Sequence, residues 1–279
     1  METRLLTRGD RNPKVYKGQA AGWSTAILHL APADVAGRGT VCPWSTAGCR
    51  AACLNRAGRG GIIAEGKRTN DIQRARIRKT RWFFDDRAGF LARLDREIAL
   101  HVKRARVDGL RPAVRLNGTS DISWERVAPD MLARWIGRGV TFYDYTKSKA
   151  RAMAAALARA NVERYGKASA HGATFPAGYD LTFSWSGSNA ADVAEVLAGG
   201  GRVAVPFAPV PGPGAVAAVI DGRLAVSATM PAPGWSRYTW HPVTDGDASD
   251  LRFLDGAGVV ALKAKGPARR DVSGFVVRA

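Results

Sequence analysis

The chain has 279 residues, 46% of them hydrophobic and 24% charged, the balance of a globular protein able to bury one α/β domain or two small ones. No stretch approaches the ~18 consecutive apolar residues of a membrane helix, and the N-terminus METRLLTRGDRNPK lacks an apolar signal core. The expectation is a cytoplasmic protein without a membrane partner, where structural disulfides are disfavoured. Lys and Arg number 42 against 24 acids, a formal net charge of +18. That excess points to a polyanion, with DNA ahead of RNA and a free nucleotide as the smaller option.

Residues 1–20 are polar and rich in Lys, Arg and Gly, and read as a basic N-terminal arm. WSTAILHLAPA, Trp23 to Ala33, reads as a first strand ended by Pro32. Helices are expected over about 67–84 and 87–107. In the second, Phe90, Leu94, Ile98 and Val102 recur at helical spacing and Gly109 closes it. RPAVRLNGT (Arg111 to Thr119) reads as a buried strand, SWERVAPDMLARWIGRG as a helix, and VTFYDYT (Val140 to Thr146) as a strand. An Ala-rich helix follows, then strand Tyr179–Ser186, a helix over NAADVAEVLAGGG, and strand Arg202–Val210. Pro/Gly-rich segments at about 208–242 read as loop insertions, and GVVALKAKG (Gly258 to Gly266) as the last strand. Strand and helix alternate at least five times. The expected fold is therefore one α/β domain over 21–279, a parallel (βα) barrel or partial barrel, with an open sheet as the alternative.

All three cysteines, Cys42, Cys49 and Cys53, fall in the loop after the first strand. A disulfide would leave one over. Zinc prefers four ligands, which His29 at the end of the feeding strand could complete. Three thiolates also suit a [4Fe-4S] cluster with one open iron, to which S-adenosylmethionine is the leading ligand. In parallel βα folds the loops after the strands build the site. Those loops carry Asn117, Ser120 and Asp121, then Asp144 and Lys147, then Ser184, Ser186 and Asn189. Asp121, Asp144 and Lys147 are the catalytic candidates; Asn117, Ser120, Ser184, Ser186 and Asn189 are the candidates for cosubstrate binding.

Charge is locally sharpest in KRTNDIQRARIRKTR, with seven basic residues and one acid. Lys67, Arg68, Arg74, Arg76, Arg78, Lys79 and Arg81 are the expected nucleic-acid contacts, positioned along a phosphate backbone. Trp82, Phe83 and Phe84 follow directly, and Trp82 is expected to dock in the core rather than stack on a base.

The segments LHLAPADVAG, CPWSTAGCRAACLNRAGRG, ARIRKTRWFF, RLNGTSDISWE, FYDYTK, LTFSWSGSN, DLRFLD, GVVALKAKG and DVSGFVV together resemble the gene-product-88 family of actinobacteriophages and some bacterial plasmids. The likeness runs from about Asn12 to the C-terminus. A more distant likeness is to a phage family with a tryptophan-rich three-cysteine loop and a strand ending in Ser-Asp, grouped with radical S-adenosylmethionine-like barrels. Cys42, Cys49, Cys53, Ser120 and Asp121 occupy comparable positions. That likeness implies a radical-type barrel with a cysteine loop after its first strand.

Three functions are therefore open. The first is an iron–sulfur enzyme acting on nucleic acid or nucleotides, such as a DNA-base-modifying enzyme in a host cytoplasm. The second is a zinc-dependent transglycosylase or nuclease-like barrel enzyme, with Asp245 and Asp247 as the anionic pair. The third is a non-catalytic nucleic-acid-binding protein with a structural metal loop.

Overall fold

A computed structural model describes residues 4–9, 13–167, 174–235 and 237–278. Its backbone is a ten-stranded, mostly parallel sheet in the order β1-β2-β3-β4-β5-β6-β10-β9-β7-β8. Six strands run parallel and in chain order: β2 (Trp23–Leu28), β3 (Arg111–Arg115), β4 (Thr141–Thr146), β5 (Tyr179–Ser184), β6 (Arg202–Phe207) and β10 (Gly258–Lys263). The helices that connect these strands pack against the sheet in its two main cores. Those helices are α3 (Asp71–Asp85), α4 (Arg87–Val107), α5 (Trp124–Val127), α6 (Pro129–Ile136), α7 (Lys149–Tyr165) and α8 (Ala190–Ala198). Two further helices, α1 (Pro13–Ala20) and α2 (Ala47–Ala51), precede and follow β2.

The expected barrel does not close among the described residues. Strand β1 (Leu6–Arg8) pairs antiparallel with the free edge of β2. The opposite edge is extended by β9 (His241–Asp245), β7 (Val216–Ile220) and β8 (Arg223–Ser227). Both edges where closure would occur are thus occupied. The supposed basic arm contributes β1 and α1, with Leu5 and Leu6 buried; residues 1–3 and 10–12 of it lie outside the described ones. The 208–242 insertion carries a β-hairpin where only loop was expected.

Local chemistry explains the helix limits. Asn70 caps α3 by accepting the Gln73 N–H at 2.9 Å, Asp86 caps α4 through Gly89 at 2.9 Å, and Gly166 ends α7 with φ +71°. Pro129 splits the expected 123–139 helix into α5 and α6, because its ring lacks an N–H and crowds the preceding turn. The main core lies between sheet and helices and holds Phe83, Phe90, Leu94, Ile98, Trp124 and Phe142. Each such side chain contributes about 1.5–3 kcal/mol on burial.

Candidate functional site at the carboxyl edge of the sheet

The cysteine loop leaves the end of β2 and lies across the carboxyl ends of its neighbours. Its first half is tied to the loop after β3. The Asp121 N–H donates to Val41 O at 2.8 Å, Thr119 Oγ1 donates to Leu30 O at 2.6 Å, and the Cys42 thiol reaches Thr119 O at 3.8 Å. Its middle is tied to the loop after β5, where Thr46 Oγ1 donates to Ser186 O at 3.2 Å. The same hydroxyl accepts the Cys49 N–H at 3.2 Å and so caps α2. Its last part is tied to α3: Cys53 Sγ accepts the Asn55 N–H at 3.5 Å, and Arg76 Nη1 donates to Asn55 Oδ1 at 2.7 Å.

Each thiol is free and half-buried. Burial pushes Cys42 up to about 12, against a backbone hydrogen bond at Ala33, and Cys53, Asp121 and Cys49 add to the rise. Burial also raises Cys53, with the Asn55 N–H opposing and Cys49 reinforcing. Lys147 is lowered by burial while Cys49, Asp121, Cys42 and Cys53 all pull it back up. The three sulfurs, Asp121 and Lys147 therefore share one electrostatic neighbourhood. The sulfurs do not converge on one point: among the described residues no group of three His, Cys, Asp or Glu surrounds a single metal-ion position.

Lys147 Nζ donates to Ser184 Oγ at 2.8 Å and to Trp185 O at 3.0 Å, and lies 5.5 Å from the Phe275 ring centroid. Asn189 shapes this corner, accepting the Ser186 N–H at 2.9 Å and donating to Ser184 O at 3.2 Å. Lys147, Ser184, Ser186 and Asn189 thus gather beside the cysteine loop.

The other four loop candidates serve as scaffold. Asn117 Oδ1 accepts from Ser120 Oγ, the Ile122 N–H and Trp124 Nε1 at 2.8–3.2 Å, while its Nδ2 donates to Ile122 O at 2.9 Å. That leaves Asn117 and Ser120 committed to their own loop. Asp144 is 1% exposed and faces the helix layer, accepting the Asn117 N–H and the Tyr179 hydroxyl, each at 2.8 Å. Asp121 accepts the Lys147 N–H at 2.8 Å and Arg151 Nη1 at 2.9 Å. Burial raises it and those two donors oppose the rise. It is a clamp between loop and helix, with no open face for proton transfer.

The basic run divides by helix face. Lys67, Arg68, Arg74, Arg78 and Arg81 are exposed, Arg74 pairing with Asp71 and Arg81 donating to Ala36 O at 3.0 Å. Arg76 and Lys79 point inward and are not phosphate contacts. Lys79 Nζ donates to Leu5 O at 2.7 Å, and burial lowers it to about 8 against the pull of Glu97. The signal was available: Gln73, Arg76, Thr80 and Phe83 recur at helical spacing, and all face inward. Trp82 is half-buried, packs edge-on against Phe90 at 5.6 Å and donates to Asp86 at 3.1 Å.

His29 is pushed down to about 3 by burial and then by Arg76, Arg115 and Lys79, with no cysteine among its influences. Among the described residues it does not join the cysteines in a metal-holding group. Asp247 is held by Lys265 Nζ at 2.7 Å and by the Lys263 N–H at 2.7 Å, so Asp245 and Asp247 form a braced turn. The C-terminal segment was missed as a site element. Trp185 Nε1 donates to Gly274 O at 3.0 Å, and a Cβ on Gly48 would meet Ser273 Oγ at 2.9 Å.

Fold and site together define an α/β protein with a mostly parallel sheet and a three-cysteine loop at its carboxyl edge. The chain belongs to the gene product 88 family, whose model matches residues 4–279. No curated protein and no solved structure matches it.

Proposed function

We propose that Cys42, Cys49 and Cys53 hold an iron–sulfur cluster at the mouth of a partial barrel, in an enzyme acting on nucleic acid or nucleotides. One observation carries this reading: a single loop holds all three free, half-buried thiols beside Lys147, tied to the loops after β3 and β5 and to α3. Three thiols that share one loop without converging on one point suit a cluster, whose thiolates bind different irons. A single zinc ion needs ligands drawn to about 2.0–2.3 Å from one point. Lys147 and Arg76 supply positive charge beside what would be an anionic centre, and the raised Cys42 and Cys53 thiols would release protons on ligation. Bound, a four-iron cluster supplies electron transfer and an open iron for S-adenosylmethionine. Six parallel strands in chain order are the winding a partial barrel requires. The net charge of +18 supports the polyanionic substrate.

The test is anaerobic purification with metal analysis. A brown protein absorbing at roughly 400 nm, with iron and sulfide in near-equal amounts, is the expected result. Stoichiometric zinc without iron would sink the proposal. Cys49→Ala should lose the iron.

A further inference from the structure

A cavity of about 500 Å³ opens at the same carboxyl edge beyond β6, β9 and β10. Its size falls within the ~300–1,000 Å³ of small-molecule sites. Phe207, Ala208, Val210 and Ala264 give it an apolar lining, and Asp245, Asp247, Lys263 and Arg269 add charge. The charges are not equivalent. Asp247 is committed to Lys265 and the Lys263 N–H. Asp245 Oδ1 takes the Asp247 N–H at 2.8 Å, leaving Oδ2 for another donor. Lys263 and Arg269 are exposed, and their side chains enter no ion pair among the described residues. Two uncommitted cations beside an apolar lining select an anion with a hydrophobic body. Asp245 is exposed and presents Oδ2 to the cavity, a contact that a heterocycle with N–H groups can make and a fatty-acid-like anion cannot.

The cavity also abuts the cysteine loop. Gly266, in the turn that carries Arg269, is packed so closely on Arg56 O and Ala57 that a Cβ would lie 3.0–3.1 Å from them. Ala208, in the apolar lining, donates its N–H to Val277 O at 3.0 Å, within the segment that packs on Gly48.

We infer that this cavity binds a nucleoside monophosphate, with the base on the apolar lining, the phosphate on Arg269 and Lys263, and Asp245 accepting an N–H. The inference deepens the proposed function by naming a substrate class, and it rests on that reading for the ligand's role beside the cysteines. The two fail separately, because iron content tests one and ligand titration of the iron-free chain tests the other.

The experiment is calorimetric titration of the full chain with AMP, GMP, CMP and UMP, alongside adenosine and inorganic phosphate. At least one nucleotide should bind, with adenosine and phosphate each weaker by about tenfold or more, since a charge-assisted contact is worth that much. Arg269→Ala and Lys263→Ala should each weaken that nucleotide by about tenfold with melting unchanged, because both side chains are exposed. The inference is overturned if none of the four binds, if phosphate binds as tightly as the nucleotide, or if both variants bind like the parent.

Discussion

Arg76 Nη1 donates to Asn55 Oδ1 at 2.7 Å, and Asn55 lies two residues beyond Cys53. This contact makes a residue of the basic run a strut of the cysteine loop. Burial lowers the Arg76 pKa and Cys53 opposes the shift. Arg76→Ala should lower stability by ~1–3 kcal/mol, the cost of stranding the buried Asn55 side chain, and should impair iron loading. Arg78→Ala, on the exposed face, should stay within about 0.5 kcal/mol of the parent. Denaturant melts and iron assays of both variants check this; equal behaviour would show that Arg76 is only surface charge.

Asp144 gives a pH signature. Burial is the largest influence on it and raises it to about 7, outweighing Arg115, the Asn117 N–H and the Tyr179 hydroxyl. A carboxyl whose folded pKa exceeds its unfolded value binds more protons when folded. Its contribution is full below the unfolded pKa and is lost as pH rises towards the folded one. Stability should therefore fall between about pH 4 and pH 7, by at most ~1.4 kcal/mol per pH unit from this group. Asp144→Asn keeps an acceptor for the Asn117 N–H and turns an amide N–H to the Tyr179 oxygen in place of accepting its hydroxyl, so it should flatten that slope and match or exceed the parent at pH 8. Melts across that range decide it; an unchanged slope would assign the pH dependence elsewhere.

Arg151 is the clamp behind Lys147. It donates to both Glu125 oxygens at 2.7 and 2.9 Å and to Asp121 Oδ1 at 2.9 Å, all well buried. Arg151→Met would strand two carboxylates and should cost ~3–5 kcal/mol. Arg151→Lys should not restore the parent, because an ammonium cannot replace the planar fork. Full rescue by lysine in thermal or denaturant melts would show that charge alone matters.

The alternation of strands and helices was legible because buried parallel strands and amphipathic helices have distinct periods. The expected helix over 87–107 coincides with α4. Closure was not legible: nothing in LTR, residues 6–8, announces a strand, because its partner β2 lies elsewhere in the chain. The β7–β8 hairpin was more readable than the loop reading allowed. Asp221-Gly222 sits between VAAVI and RLAVS with φ +47° and +74°, the left-handed pair a two-residue turn requires. At the site, strand-end position alone located Lys147, Ser184, Ser186 and Asn189. It could not tell them from Asn117 and Asp144, since which side of a strand end faces the helices depends on register. The role of Phe275 was hidden because it reaches Lys147 from far along the chain.

The exposed remainder of the basic run carries the last prediction. Arg74, Arg78 and Arg81 lie on the outer face of α3, and Lys67 and Arg68 just before it. If this face follows a phosphate backbone, the log of affinity should fall linearly with the log of salt, by roughly 0.7–0.9 per neutralised phosphate. Changing Arg74, Arg78 and Arg81 together to Ala should weaken binding to all polynucleotide sequences alike and reduce the slope by about two to three. Lys79→Ala should act differently, because its ammonium holds Leu5 O behind β1: stability should drop and the salt slope should stay. Trp82→Ala should likewise leave binding intact and cost stability near the lower end of the ~3–5 kcal/mol typical of core aromatics, since its ring packs on Phe90. Binding isotherms at several salt concentrations, with melts of each variant, separate these outcomes. A salt-independent affinity, or no polynucleotide binding at low salt, would remove polynucleotides as partners and leave the free nucleotide.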